Sequence, residues 1–110
     1  MPTPANVGVY RIGIHTVLGE PGVALDHARA VNHHLLPTPE RQARYCIDIA
    51  RAWEQHGRPN QAVLALLAAE RVAPQKISRP SVAAMVSGML YGPGPTPAEL
   101  RALAVRRGIA

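Results

Sequence analysis

Five histidines and one cysteine are the residues of this chain whose types could support metal binding or nucleophilic catalysis: His15, His27, His33, His34, His56 and Cys46. On a helix, His33 and His34 would point about 100° apart, and His27 and His34 would stand two turns apart. No cysteine pair and no HExxH spacing is present to complete a zinc shell, so no metal site is expected. Cys46 shares an i, i+3, i+4, i+7 pattern with Ile49, Ala50 and Trp53. That pattern predicts a small buried apolar side chain rather than an exposed thiolate. The acids stand singly beside arginines, as Asp48 does four residues after Arg44, which reads as surface support of a helix. Gly92-Pro93-Gly94-Pro95 lacks the Gly-Lys-Ser/Thr ending of a phosphate loop. Neither catalysis nor a cofactor is expected.

Recognition is the remaining chemistry, and the charge distribution bears on it. The 110 residues carry a formal net charge of +5. Residues 1–74 hold seven arginines against six acids, whereas residues 75–110 hold four arginines and Lys76 against Glu99 alone. A basic segment of this kind attracts acidic partners or nucleic acid, or is simply a solvated surface. The lone cysteine fits a reducing compartment. The opening MPTPANVG has no basic segment followed by an apolar core, and the longest apolar run, Ala62 to Ala69, is too short to span a bilayer. These features predict a soluble, cytoplasmic protein.

The elements that must position any site are helices. Phe is absent and aromatics are few, so the interior must be built from Ala, Leu, Val and Ile. A core so rich in alanine favours closely packed helices, and no segment alternates β-branched residues between hairpin turns. Breaks fall at Gly19–Gly22, Leu36–Pro39, Gly57–Asn60, Pro74–Pro80 and Gly92–Thr96. Five helices of ordinary length lie between them and a short one closes the chain. Thr38-Pro39 supplies a capping hydroxyl before a first-turn proline. Thr96-Pro97-Ala98-Glu99 reads as a capping box, and Gly19 and Gly57 sit where a left-handed residue ends a helix.

The chain also repeats itself. Gly57-Arg-Pro-Asn-Gln-Ala62 falls on Gly19-Glu-Pro-Gly-Val-Ala24 at an offset of 38 residues, with Leu66 on Ala28, Ala69 on Val31 and Trp53 on His15. Cys46, Ile49, Ala50 and Trp53 form one face before Gly57, and Ala62, Leu66 and Ala69 form a matching face after it. Small Ala62 and Ala69 would let the two helices approach closely, with Trp53 filling the space that remains.

Residues 43–76 resemble the tetratricopeptide repeat. Ile49 and Ala50 take its Leu-Gly positions, Trp53 its Tyr, Ala62 and Ala69 its two alanines, Leu66 its aromatic residue and Pro74 its proline; Cys46 departs from the usual Trp. The first unit fits more loosely, with Gly8, Arg11 and His15 in place of large apolar residues or Tyr. Across nearly the whole chain, N-V-x-x-x-R, L-G-E-P-G-x-A-L, L-P-T-P-E-R-Q-A-R-Y-x-I-D-I-A-R-A-W and A-L-L-x-A-E-R-x-A-P resemble a second pattern. It is that of the C-terminal, tetratricopeptide-like region of Xre-type helix-turn-helix transcriptional regulators from high-GC Gram-positive bacteria. In that family a DNA-binding domain precedes the regulatory region, and this chain matches only the latter. Residues 98–110 resemble the first helix of a DNA-reading motif, but no reader helix follows, so direct DNA contact is not expected.

The resemblance implies one all-α domain over residues 1–110, a fragment of a right-handed α-solenoid. Repeat one would span 5–37, repeat two 39–76 and capping helices 80–107. Repeats bury their faces on their neighbours, and the first helix is apolar on more than one face. Its Val7, Tyr10, Ile14 and Val17 are therefore a candidate docking face for a second copy or an upstream regulator subunit. The concave face of each unit is the candidate groove for a peptide or protein partner. It comprises Asn6, Val9, Gly13, Thr16 and Val17 in the first unit and Arg44, Ile47, Arg51, Glu54 and Gln55 in the second. An Asn amide pairs with peptide backbone and an Arg fork grips a carboxylate; solvated side chains are the plainer alternative. The expected function is a non-enzymatic regulatory or ligand-sensing interaction domain of a transcriptional regulator type. A structural oligomerisation module, or a truncated remnant of a longer regulator, is the alternative.

Overall fold

A computed structural model of the chain describes residues 19, 21–29, 36–94 and 96–109. Among them lie six helices and no strand: α1 Pro21–Arg29, α2 Pro39–Gln55, α3 Pro59–Val72, α4 Pro74–Ile77, α5 Pro80–Tyr91 and α6 Ala98–Arg106. The protein is all-helical over these residues. The expected first helix, with Asn6, Val7, Val9, Tyr10, Gly13, Ile14, Thr16 and Val17, lies outside them, as does any pairing of two complete repeats.

Local chemistry starts and stops the central pair. Thr38 is extended, and its Oγ1 accepts a hydrogen bond from the Arg41 N–H at 3.2 Å, ahead of Pro39 in the first turn. Gly57 ends α2 with φ +77°. Its N–H reaches the Glu54 carbonyl at 3.1 Å, and the Arg58 N–H reaches the Trp53 carbonyl at 2.9 Å. These two bonds make a Schellman ending, which glycine enters without steric cost. Gly108 repeats it after α6, with φ +69°, its own N–H on Val105 and the Ile109 N–H on Ala104. Gly19, the residue aligned with Gly57, also has positive φ, and Ala24, five residues on, is fully buried like Ala62.

The core gathers around α2, which packs on α1, α3 and α4. Ala43, Cys46, Ile47 and Ala50 are buried along one stripe and Tyr45, Asp48 and Ala52 along another, so this helix is covered on more than one side. The Tyr45 hydroxyl donates to the Ala28 carbonyl at 3.3 Å and ties α2 to α1. Ala62, Leu66 and Ala69 are wholly buried on α3. Alanines at these contacts leave little but Cβ between backbones, which favours close helix approach. Trp53 is half-buried at the rim of this core, with the His56 ring edge-on at 6.4 Å.

Three details depart from expectation. The Pro74–Pro80 break contains the one-turn helix α4, pinned by fully buried Ile77. The capping box before α6 does not form. Pro97 is the N-cap, so Glu99 falls at the second helical position, while the Thr96 hydroxyl turns back to donate to Leu90 at 3.3 Å. The hydroxyl is spent on closing the α5–α6 link rather than on capping. Finally, Asp48 forms the expected i, i+4 ion pair with Arg44, Nε to Oδ2 at 3.9 Å, but it is buried, at 8% exposure, rather than lying on the surface.

Helix α6 is fastened to α3 by charge. Glu70 accepts from Arg106 Nε at 3.1 Å and Nη2 at 2.8 Å, and Arg107 Nε stands 3.0 Å from its second oxygen. The Arg106 hydrogen bonds, foremost, hold the Glu70 carboxyl below its ordinary pKa. No helix among the described residues is long and apolar enough to cross a membrane.

Candidate functional site

Four residues of α2 recur at i, i+3, i+4 and i+7 and share one face: Arg44, Ile47, Asp48 and Arg51. Opposite them the chain turns from α4 into α5 and brings Lys76, Arg79, Ser81 and Val82 over that face. Pro74 and Pro80 start the two short helices that make the corner, and buried Ile77 holds it against the core. The result is an open cleft of about 250 Å³ lined by these eight residues.

Its electrostatics are lopsided. Arg44, Arg51, Lys76 and Arg79 surround a single carboxylate. The N-terminus of α5 opens beside them, and no side chain caps it; partial positive charge gathers at such an end. Asp48 forms part of the floor. Its Oδ2 is enclosed without a hydrogen-bond partner, and the nearest cation, Arg44 Nε, is 3.9 Å away, beyond hydrogen-bond reach. Burial pushes the Asp48 carboxyl above its ordinary pKa, and Arg44 and Arg51 pull it only partly back. The floor therefore holds a carboxyl group whose pKa burial raises, beneath a rim of cations. Such a cleft can bind an anionic group.

The structure thus brings Arg44, Ile47 and Arg51 into one site. Glu54 and Gln55, from the same expected groove, are exposed and do not line the cleft; Asn6 and Val9 lie outside the described residues. Sequence reasoning missed Asp48, Lys76, Arg79, Ser81 and Val82. Asp48 was legible as a member of the same helical face and as the i, i+4 partner of Arg44, but that spacing reads as a surface pair rather than a buried one. Lys76 and Arg79 lay in a segment read as a break, where only the local excess of positive charge marked them.

The residues first considered for metal or nucleophilic chemistry do not meet here. His15, His33 and His34 lie outside the described residues, His27 is half-buried on α1, and His56 is exposed at the end of α2. No three His, Cys, Asp or Glu residues cluster among the described ones. Cys46 is buried on α2, and burial raises its thiol pKa, with Arg71 opposing.

A second, more apolar depression of about 360 Å³ lies between α5 and α6, lined by Leu90, Tyr91, Thr96, Arg101, Ala104, Val105 and Ile109. Comparison of the chain with protein-family models, with curated proteins and with solved structures finds no match.

Proposed function

We propose that this chain is a non-enzymatic interaction domain of the regulatory kind, which captures an anionic group of a peptide or protein partner in the α2–α4–α5 cleft. The observation that carries this reading is the convergence of Arg44, Arg51, Lys76 and Arg79 from three stretches of chain on one small opening. Cations brought together from separate elements repel one another, so leaving them together without a ligand has a cost. Arginine forks grip planar and tetrahedral oxyanions with paired hydrogen bonds. The motifs shared with the C-terminal region of Xre-type regulators support a place in transcriptional control, with the partner rather than DNA as the ligand. The tetratricopeptide-like spacing of Trp53, Ala62, Leu66, Ala69 and Pro74 supports a solenoid-type platform beneath the cleft.

Fluorescence anisotropy with fluorescein-labelled acidic and uncharged decapeptides tests the reading on the full chain. Acidic probes are expected to bind, with affinity falling as salt rises. The double variant Arg51→Ala/Lys76→Ala is expected to lose about tenfold or more. Equal binding of both probe classes, or full binding by a folded double variant, would refute it. Oligomerisation is the competing role, favoured by highly exposed Tyr91 and Val105 beside the α5–α6 depression. Sedimentation of a Tyr91→Ser/Val105→Ser variant checks it, and an unchanged monomer in both proteins removes it.

A further inference from the structure

A rim of cations does not by itself distinguish one anion from another, but the floor of this cleft does. A carboxylate beneath an anion-binding rim repels any ligand that is fully deprotonated. It is compatible with an anion that carries its own O–H, or that can accept a proton held by the carboxyl group. Carboxylates, with pKa values near 4, carry no such proton at neutral pH. Sulfate carries none either. A phosphate monoester, whose second ionisation lies at about 6, is mostly dianionic at pH 7 but takes up a proton far more readily than either.

We propose that the α2–α4–α5 cleft is a phosphate-monoester site in which Asp48 and the bound phosphate share one proton while Arg44, Arg51, Lys76 and Arg79 neutralise the charge. The proposal rests on the anionic-partner reading above and names the anion. Three observations carry it. Asp48 is buried, its side chain 12% exposed, lines the cleft, and has an oxygen, Oδ2, that nothing in the protein hydrogen-bonds, Arg44 Nε standing 3.9 Å away. An acceptor left in that state is costly unless a ligand satisfies it. The opening of about 250 Å³ is smaller than the space a drug-sized ligand needs and suits one compact headgroup. The uncapped first turn of α5, a helix of 12 residues, adds Ser81 and the positive end of its dipole.

In the bound state the phosphate takes the place of the long Arg44–Asp48 approach. Arg44, whose side chain is 64% exposed, swings from above Oδ2 onto the phosphate oxygens. With Arg44 moved aside, the Asp48 carboxylate accepts from a P–OH group, or the protonated carboxyl donates to the dianion; either way one proton lies between two oxygens. Arg44 and Arg51, on its own helix, act on Asp48 directly, and Lys76 on α4, Arg79 at the corner and Ser81 on α5 line the same cleft. The shared proton therefore removes the repulsion between the bound anion and the one carboxylate that lines the cleft.

Calorimetric titration of the full chain at pH 7 and constant ionic strength tests this. The probes are sodium phosphate, sodium sulfate, a phosphoseryl pentapeptide and the same pentapeptide with Glu at that position. Phosphate is expected to bind about tenfold or more tightly than sulfate, and the phosphopeptide than its Glu counterpart. In Asp48→Asn the amide offers a donor without charge, so sulfate gains affinity and the discrimination collapses to within about threefold. The order of free phosphate and phosphopeptide tells which source the site prefers. Sulfate equal to phosphate in the native protein, or discrimination kept by Asp48→Asn, would overturn the proposal. A Glu peptide binding as tightly as the phosphopeptide leaves the anionic-partner reading standing and sinks the phosphate assignment; no binding by any probe at millimolar concentration sinks both.

Discussion

Replacing Asp48 by Asn should make the unliganded protein more stable at neutral pH, an unusual outcome for a change at a buried polar residue. Oδ2 is enclosed and without a hydrogen-bond partner, and a buried acceptor in that state costs about 1–3 kcal/mol, more when charged. Against this stands attraction to Arg44 Nε at 3.9 Å. At an effective dielectric of about 20 that attraction is roughly 4 kcal/mol before screening. The Arg44 side chain is 64% exposed, however, and pairs open to solvent retain only about 0.2–1 kcal/mol. The penalty wins, so the isosteric amide should add about 1 kcal/mol, or roughly 4–8 °C in Tm for a domain of this size. Removing the carboxylate strands no buried cation, because Arg44 is exposed and Arg51 half-exposed. The pH dependence follows from the raised folded-state pKa. Relative to the variant, the native protein keeps its full stability below the unfolded pKa of about 3.9 and loses it as pH rises through the higher folded value. Thermal melts followed by circular dichroism at neutral and acidic pH should therefore diverge at pH 7 and converge in acid. A variant less stable at pH 7, or a difference independent of pH, would show that Oδ2 is satisfied in solution and that the floor of the cleft has been misread.

Two other substitutions examine the frame that holds the cleft. Gly57→Ala should cost about 1 kcal/mol, because a side chain at φ +77° is strained while the added Cβ meets nothing within 4 Å. Urea titration should show a lowered midpoint with an unchanged slope, and Gly57→Asn should recover part of the loss, since Asn tolerates this conformation better. Glu70→Gln should loosen α6 from α3, seen as several-fold faster hydrogen exchange of the amides of residues 100–106 with those of α2 unchanged. The folded carboxyl is depressed, so the native protein holds this clamp above the unfolded pKa of about 4.3 and loses it as pH falls through the lower folded value. Exchange in native protein and variant should then become alike in acid.

What the sequence by itself determined is what neighbours along the chain decide. Thr38 before Pro39, and Gly57 after a helical run, act within one turn, so α2 and its Schellman ending were legible. The i, i+3, i+4, i+7 spacing of Cys46, Ile49, Ala50 and Trp53, and of Ala62, Leu66 and Ala69, likewise marks the faces that pack. Arg44, Ile47 and Arg51 were legible as one exposed-looking stripe for the same reason. Tertiary structure alone decided what lies across from that stripe. Lys76 and Arg79 reach it because buried Ile77 folds the α4–α5 corner back over α2, a contact between residues some thirty positions apart. Asp48 is buried and lines that same cleft, so a pairing that reads as surface support lies instead at the floor of a basic cleft. Thr96 shows the same limit in reverse. Its spacing favours a cap, but the hydroxyl finds the Leu90 carbonyl closer once α5 and α6 are in place. Helix ends and faces are fixed by bonds between near neighbours; which charges meet is fixed by packing, and packing is written over distances that no local pattern spans.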